Sequence, residues 1–208
     1  YATLDADLTS TTQLSVGIDD QLNRPRGNTW GSFPMFLANG ERTHWSRSVT
    51  TATDWAFWTR QTQTAFAELR QELGAGWSLR STLSRRRYRE DMALFYVSGF
   101  PDPVDGSGLE PFAYRSKGWT NENALDLYAS GPFDLLGRRH ELVVGYTGSR
   151  VKRRSYEYAA PEALAPTGNF FDWDGSYPAP PFASESTLAS DIRNRQDGLY
   201  AAARLSVT

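Results

Sequence analysis

The feature that most constrains this chain is an alternation of apolar and polar residues in about seven segments, joined by connections that are very short or very long in turn. Successive side chains of a strand point to opposite faces, so this period of two reads as strands with one apolar and one polar face. Ala2, Leu4 and Ala6 alternate with Thr3, Asp5 and Asp7. Beyond a polar turn at 8–11, Leu14, Val16 and Ile18 alternate with Ser15, Gly17 and Asp19. A strand from about Gln61 to Leu73 sets Ala65, Ala67 and Leu69 against Glu68, Arg70 and Glu72. Gly74-Ala75-Gly76 then turns the chain tightly back into Trp77, Leu79 and Leu83, because glycine accepts positive φ. Leu125, Leu127 and Ala129 precede a turn expected over 131–139, which leads into Leu142, Val144 and Tyr146. The last strand carries Leu199, Ala201, Ala203, Leu205 and Val207 on one face. No segment has a helical period.

Three connections, near 21–60, 91–118 and 159–191, are expected to be long, where compact soluble domains use ~4–6 residues. Long loops at one end and short turns at the other are the rhythm of an outer-membrane β-barrel. The modest apolar faces of Ala, Leu and Val, opposed by Asp, Glu, Arg, Gln and Ser, suit lipid on one side and a polar lumen on the other. An antiparallel sheet with one solvated face explains the alternation equally well, but not the loop rhythm.

Composition narrows the chemistry. A formal net charge of -2 disfavours nucleic-acid binding by bulk charge. The absence of cysteine excludes thiolate sites and cysteine nucleophiles, and with only His44 and His140 a histidine-rich metal centre is disfavoured. No run approaches the ~18–20 apolar residues of a spanning helix. The 7 Trp, 10 Tyr and 11 Phe fit either an aromatic β-protein or a membrane-interface protein. The opening YATLDAD has no Met and no signal-like pattern, and the final GLYAAARLSVT lies within a strand pattern. The whole of 1–208 is therefore expected to be an internal part of a β-barrel domain.

A series of short motifs then carries a family resemblance: Trp30-Gly31-Ser32-Phe33-Pro34, Asn39-Gly40, Asp54-Trp55, Phe66-Ala67-Glu68-Leu69-Arg70-Gln71, Gly137-Arg138-Arg139-His140-Glu141-Leu142, Phe170-Phe171-Asp172-Trp173-Asp174-Gly175-Ser176-Tyr177-Pro178 and Leu199-Tyr200-Ala201-Ala202-Ala203-Arg204-Leu205. In this order they cover nearly the whole chain and resemble the barrel of TonB-dependent ferric-siderophore receptors. The hydroxamate branch is the nearest in pattern: coprogen and rhodotorulic acid, alcaligin and pyoverdine receptors. The resemblance implies an all-β fold, an antiparallel transmembrane β-barrel segment of about seven strands, with long extracellular loops. The parent barrel has about 22 strands and an N-terminal plug; the plug and the C-terminal strands lie outside this sequence. It further implies a monomeric, multi-pass protein of a Gram-negative outer membrane that imports a ferric hydroxamate with energy from the TonB-ExbB-ExbD complex, and no enzyme activity.

A ferric siderophore carries Fe(III) already coordinated, so the protein needs no metal ligands or cofactor of its own. Recognition then falls to aromatic walls and polar donors. The loops supply Trp30, Phe33, Phe36 and Trp55, then Tyr114 and Trp119, then Trp173 and Tyr177 as candidate substrate contacts. By resemblance, the aromatic just beyond Phe33-Pro34 lines the vestibule. That position falls on Phe36, which keeps the ring of the tryptophan common in relatives but has no indole N–H.

Two basic runs, 85–89 and 150–154, follow ascending strands. Parity places Arg85, Arg87 and Arg89, and likewise Arg150, Lys152 and Arg154, on the lipid side near the outer surface, where lipopolysaccharide phosphates lie. Arg86 and Arg153 fall on the other face, where they could attract anionic chelates. A solvated strand extension neutralised by Glu90, Asp91 and Glu157 is the plainer alternative. Asp102, Asp105 and Glu110, or Asp172 and Asp174, lack the spacing of a calcium loop, and no carboxylate pair is placed across a cleft as in a glycosidase. Two other functions compete: a soluble carbohydrate-binding or adhesin-like domain using Trp and Tyr as stacking platforms, and an iron-sensing receptor that signals to transcription.

Overall fold

The computed structural model describes residues 1–206; Val207, expected to extend the last apolar face, lies outside them. Seven strands form one antiparallel meander in sequence order: β1 (Ala2–Thr9), β2 (Thr12–Asn23), β3 (Phe57–Gly74), β4 (Trp77–Ser98), β5 (Glu110–Leu135), β6 (Arg138–Tyr158) and β7 (Ser186–Arg204). Among the described residues no helix is long and apolar enough to cross a membrane.

At one end of the sheet the strands are joined by tight turns at Ser10-Thr11, Ala75-Gly76 and Leu136-Gly137. Ala75 and Gly76 have φ of 50° and 81°, and Leu136 and Gly137 have 55° and 72°. Two successive positive φ values give the turn whose twist matches a hairpin. The third turn is therefore much shorter than the expected 131–139. Strand β5 runs through Gly131 and Pro132, with Pro132 opposite Glu141. Pairing of β4 with β5 stops at Ser78–Ser130, so Pro132 lies where one side of β5 has no partner, a setting in which a strand accepts proline.

At the other end the connections are 24–56, 99–109 and 159–185. The middle one is far shorter than the expected 91–118, because β4 and β5 continue as a paired extension to Ser98–Glu110. Met92, Ala93, Leu94 and Phe95 are all buried there. Both faces of the extension are covered, so the alternation that marks a half-buried strand disappears.

The register sorts the side chains into rows. On one face, the row Leu4, Val16, Ala67, Leu83, Leu125 and Gly148 crosses six strands and reaches Asp197 on β7. The next row towards the long connections is still apolar at Ile18 and Ala65 but is Arg85, Asn123, Arg150 and Arg195 on β4–β7. In the opposite direction, Thr12 and Gln71 share a row with Leu79, Ala129, Val144 and Ala201. The apolar band thus crosses the ladder obliquely, stepping towards the tight turns from β1 to β7. Strands inclined to a flat apolar slab produce this offset.

The opposite face is polar. Asp5 accepts from Ser15 at 2.5 Å, and Arg80 pairs with Glu68 at 2.6 Å. Two aromatic rings on this face lie over glycines of the neighbouring strand, Phe66 over Gly17 and Tyr200 over Gly145. Each pair is directly opposite in the register, so the ring fills the space that the missing side chain leaves.

Candidate binding site at the loop end

The extension of β4 carries two aromatic clusters, one on each face. On the face that continues the apolar band, Phe95, Val97, Leu109 and Phe170 form a buried core. Trp173 stacks on Phe95 at 5.5 Å, Tyr177 lies 4.7 Å from it, and Trp55 meets it edge-on at 6.0 Å. Trp45 reaches Phe170 edge-on at 5.6 Å and Phe33 lies 6.1 Å from Trp45.

The polar atoms of these rings are occupied within the protein. Trp55 Nε1 donates to the Tyr177 carbonyl at 2.9 Å, Trp173 Nε1 to the Ala52 carbonyl at 3.2 Å, and Trp45 Nε1 to the Pro34 carbonyl at 2.8 Å. The Tyr177 hydroxyl donates to the Ala165 carbonyl at 2.7 Å, and burial pushes its pKa up. The cluster therefore fastens connection 24–56 to connection 159–185. Of the sequence-derived contact candidates, Phe33, Trp55, Trp173 and Tyr177 lie here.

Connection 99–109 is docked through backbone. The Phe170 N–H donates to the Gly106 carbonyl at 3.1 Å, and Gly106 (φ 68°) sits against Asn169, the cap of the short 3-10 turn Phe170–Asp172. Aspartates, rather than a bound cation, shape these turns. Asp102 accepts from the Val104 N–H at 2.7 Å, Asp105 from Ser107 at 2.9 Å and Asp174 from Ser176 at 2.9 Å. Hydrogen bonds from Ser107 and Ser176 hold the carboxyls of Asp105 and Asp174 below the usual range. Among the described residues no group of three or more His, Asp or Glu is placed to hold a metal ion.

The second cluster is on the polar face. Trp30 meets Tyr96 edge-on at 4.9 Å and lies 5.5 Å from Tyr114, while Tyr96 stacks on Phe112 at 4.6 Å. The Tyr114 hydroxyl donates to Glu157 at 2.7 Å. One step towards the tight turns, Glu90 accepts from Tyr88 at 2.9 Å and from Trp58 Nε1 at 3.3 Å. Arg60, opposite Glu90 in the register, lies 5.0 Å over the Trp58 ring, and its buried Nε has no hydrogen-bond partner. An aromatic wall above a polar shelf that includes the Arg60 guanidinium can take a ligand that has both flat apolar parts and anionic oxygens.

Of the residues expected from the sequence, Trp30 and Tyr114 lie in this cluster, beside Tyr96, Phe112 and Arg60, which the sequence reading did not name. The parity of Tyr88 and Glu90 against Leu79 and Leu83 would have found that face, had β4 been extended beyond Glu90. Phe36 lies apart, 43% exposed, in a small hairpin where it bridges Arg42. Trp119 is on the outward face, under Lys152 and Arg154 at 5.6 and 5.9 Å.

No protein-family model matches the chain. It is 36% identical over 212 residues to the ferripyoverdine receptor of Pseudomonas aeruginosa PAO1, covering 100% of this chain and 26% of that protein. It is 34% identical over 215 residues to the ferric-pyoverdine BN7/BN8 receptor of Pseudomonas putida, again covering 100% of this chain and 26% of the relative. The crystal structure of the P. aeruginosa outer-membrane ferripyoverdine receptor bound to ferripyoverdine superposes with a TM-score of 0.89 at 35% identity, over 99% of this chain and 27% of that one. The FpvAI–pyocin S2 complex gives 0.86 at 36% identity, over 99% and 28%. The chain spans about a quarter of the length of the curated relatives it matches.

Proposed function

From the premise that this open seven-stranded sheet is homologous to part of the barrel of the TonB-dependent ferripyoverdine receptors, we propose that the chain forms wall and loops of an outer-membrane receptor that binds a ferric siderophore and admits it to the cell. The protein acts as a receptor and transporter rather than an enzyme. The observation that carries the reading is the oblique apolar band opposite a polar face, which suits lipid on one side and a polar lumen on the other.

The chelate arrives with its iron already coordinated and binds against Trp30, Tyr96, Phe112 and Tyr114, its anionic oxygens facing Arg60. Trp55, Trp173 and Tyr177 act by holding the loops that carry Trp30 and Phe36. The substrate is a pyoverdine-like chelate, with hydroxamate oxygens on iron as the finer expectation. Import draws on the TonB-ExbB-ExbD complex through a plug that seals the lumen. Arg86, on the lumenal face and 3.7 Å from Glu122, and Arg153 add positive charge along the path.

The test is radioiron binding to outer membranes of iron-starved cells with and without the parent gene, using pyoverdine, simple hydroxamate, catecholate and citrate chelates. Gene-dependent binding of pyoverdine-type iron is expected. Equal binding of every chelate after gene deletion overturns the receptor reading. Selective binding of a catecholate overturns the substrate class alone.

A further inference from the structure

At three places in the sheet, opposite charges directly across a strand pair meet. Arg86 reaches Glu122 at 3.7 Å, Arg154 reaches Asp191 at 2.8 Å and Arg204 reaches Glu141 at 3.7 Å. Attraction between cross-strand neighbours makes this the ordinary outcome. Asp91 faces Lys117 but pairs with Arg115, and Asp134 faces Arg139, whose guanidinium is turned over Gly76 at the tight-turn end. Arg60 and Glu90 face each other on the polar face at the loop end, yet among the described residues they are outside ion-pair range. Trp58 and Tyr88 hold them apart. Glu90 Oε2 accepts from both the Tyr88 hydroxyl at 2.9 Å and Trp58 Nε1 at 3.3 Å, while the Arg60 guanidinium lies over the face of the same indole.

Both hydrogen bonds fall on one oxygen of Glu90, which leaves Oε1 with its acceptor capacity intact. Oε1 leans towards Gly118, the residue facing Glu90 on β5. On the same face Gly17 and Gly145 are each covered by a ring from the facing strand, Phe66 and Tyr200. Gly118 has no ring over it. A side chain there would first meet the Arg154 carbonyl oxygen at 3.0 Å and then Glu90 Oε1 at 3.5 Å. Two oxygen acceptors therefore border the gap. Ser155, which faces Gly118 from β6, shares its hydroxyl hydrogen bond with Ser190 at 2.9 Å and supplies the gap with no free donor.

We infer that the site selects a chelate carrying charges of both signs, and that Glu90 takes its cationic side group, an ammonium or guanidinium entering the gap over Gly118. Arg60, on the far side of Glu90, is left for the anionic oxygens. Arg60, Glu90 and Gly118 lie in one row across β3, β4 and β5, so the two charges of the ligand are about 5–10 Å apart, one to two strand spacings. Trp58 and Tyr88 are positioning residues, since without them Glu90 and Arg60 would neutralise each other and present no charge to a ligand. A cation on Oε1 forms a charge-assisted hydrogen bond. A chelate of the same shape without the cation covers Oε1 and leaves it unpaired, which costs affinity. The inference rests on the receptor reading above and adds the charge pattern of its substrate.

The experiment uses the full-length receptor in detergent and two probes: a ferripyoverdine whose peptide carries a free ammonium, and the same chelate after N-acetylation. Affinities are measured by titration calorimetry. The ammonium form is expected to bind about tenfold or more tightly than the acetylated one, the scale of one hydrogen bond to a charged group. Glu90→Gln keeps an acceptor for Tyr88 and Trp58 and removes only the charge. It should bring the ammonium form down to the acetylated level and leave the acetylated form unchanged. Gly118→Ala, which fills the gap, should repeat that selective loss, and Glu90→Gln carries the test if the alanine variant does not fold. Glu141→Gln, at the tight-turn end, should leave both affinities unchanged. Equal binding of the two forms, an equal loss of both in Glu90→Gln, or a preference that survives Glu90→Gln overturns the inference and leaves the receptor reading standing. Binding of neither form to the unsubstituted receptor overturns the receptor reading, and the inference with it.

Discussion

Tyr200 lies with its ring against the backbone of Gly145, directly across the β6–β7 pair, on the polar face. A methyl group at residue 145 would occupy the space of that ring. Gly145→Ala should therefore displace Tyr200 and destabilise the full-length receptor by about 1–3 kcal/mol, the usual cost of overpacking. Thermal unfolding in detergent checks this. Combining it with Tyr200→Ala should restore part of the loss, since the clash then has no partner.

Trp173 and Trp30 are both loop-end tryptophans, but their surroundings predict different phenotypes. Trp173→Ala removes the stack on Phe95 and the bond to the Ala52 carbonyl. It should cost about 3–5 kcal/mol locally and open connections 24–56 and 159–185 to protease. Limited proteolysis of outer membranes provides the measurement.

Trp30→Ala should leave that protease pattern intact and weaken ferric-siderophore binding about tenfold or more, the effect of losing one buried aromatic anchor. Phe36→Ala tests the exposed hairpin in the same assay. If Phe36 contacts the chelate from outside, its loss should raise the dissociation rate without changing loop protection.

Asp174 gives a pH dependence of definite sign. Hydrogen bonds from Ser176 hold its folded-state pKa below the ordinary carboxylate value. The contribution is complete above the unfolded value and is lost as pH falls through the folded one. Trp173 fluorescence, as a reporter of the order of 159–185, should stay flat down to roughly pH 5 and change only in the acid range below the ordinary carboxylate value. Asp174→Asn should remove its share of that acid limb.

The strands of the apolar band were legible because one apolar and one polar face enforce a period of two. Legibility ended where that asymmetry ends. Met92–Phe95 is apolar without alternation because loops cover both faces, so a paired extension reads as loop. Gly131-Pro132 reads as a turn because its tolerance depends on the absent β4 partner, which only the register reveals. In the site, composition pointed to aromatic recognition but could not divide the rings between anchoring and contact. Trp55 and Trp173 differ from Trp30 only in what folds onto them.

The tight turns at Ala75-Gly76 and Leu136-Gly137 have a consequence for how such a protein diversifies. A two-residue turn with both φ values positive leaves no slack, so the alignment of each hairpin is decided at that end. Connections 24–56 and 159–185 are relieved of that duty and can lengthen, shorten or change composition without shifting a single residue of the apolar band. Change in composition and length can therefore accumulate in the loops while the sheet keeps its alignment.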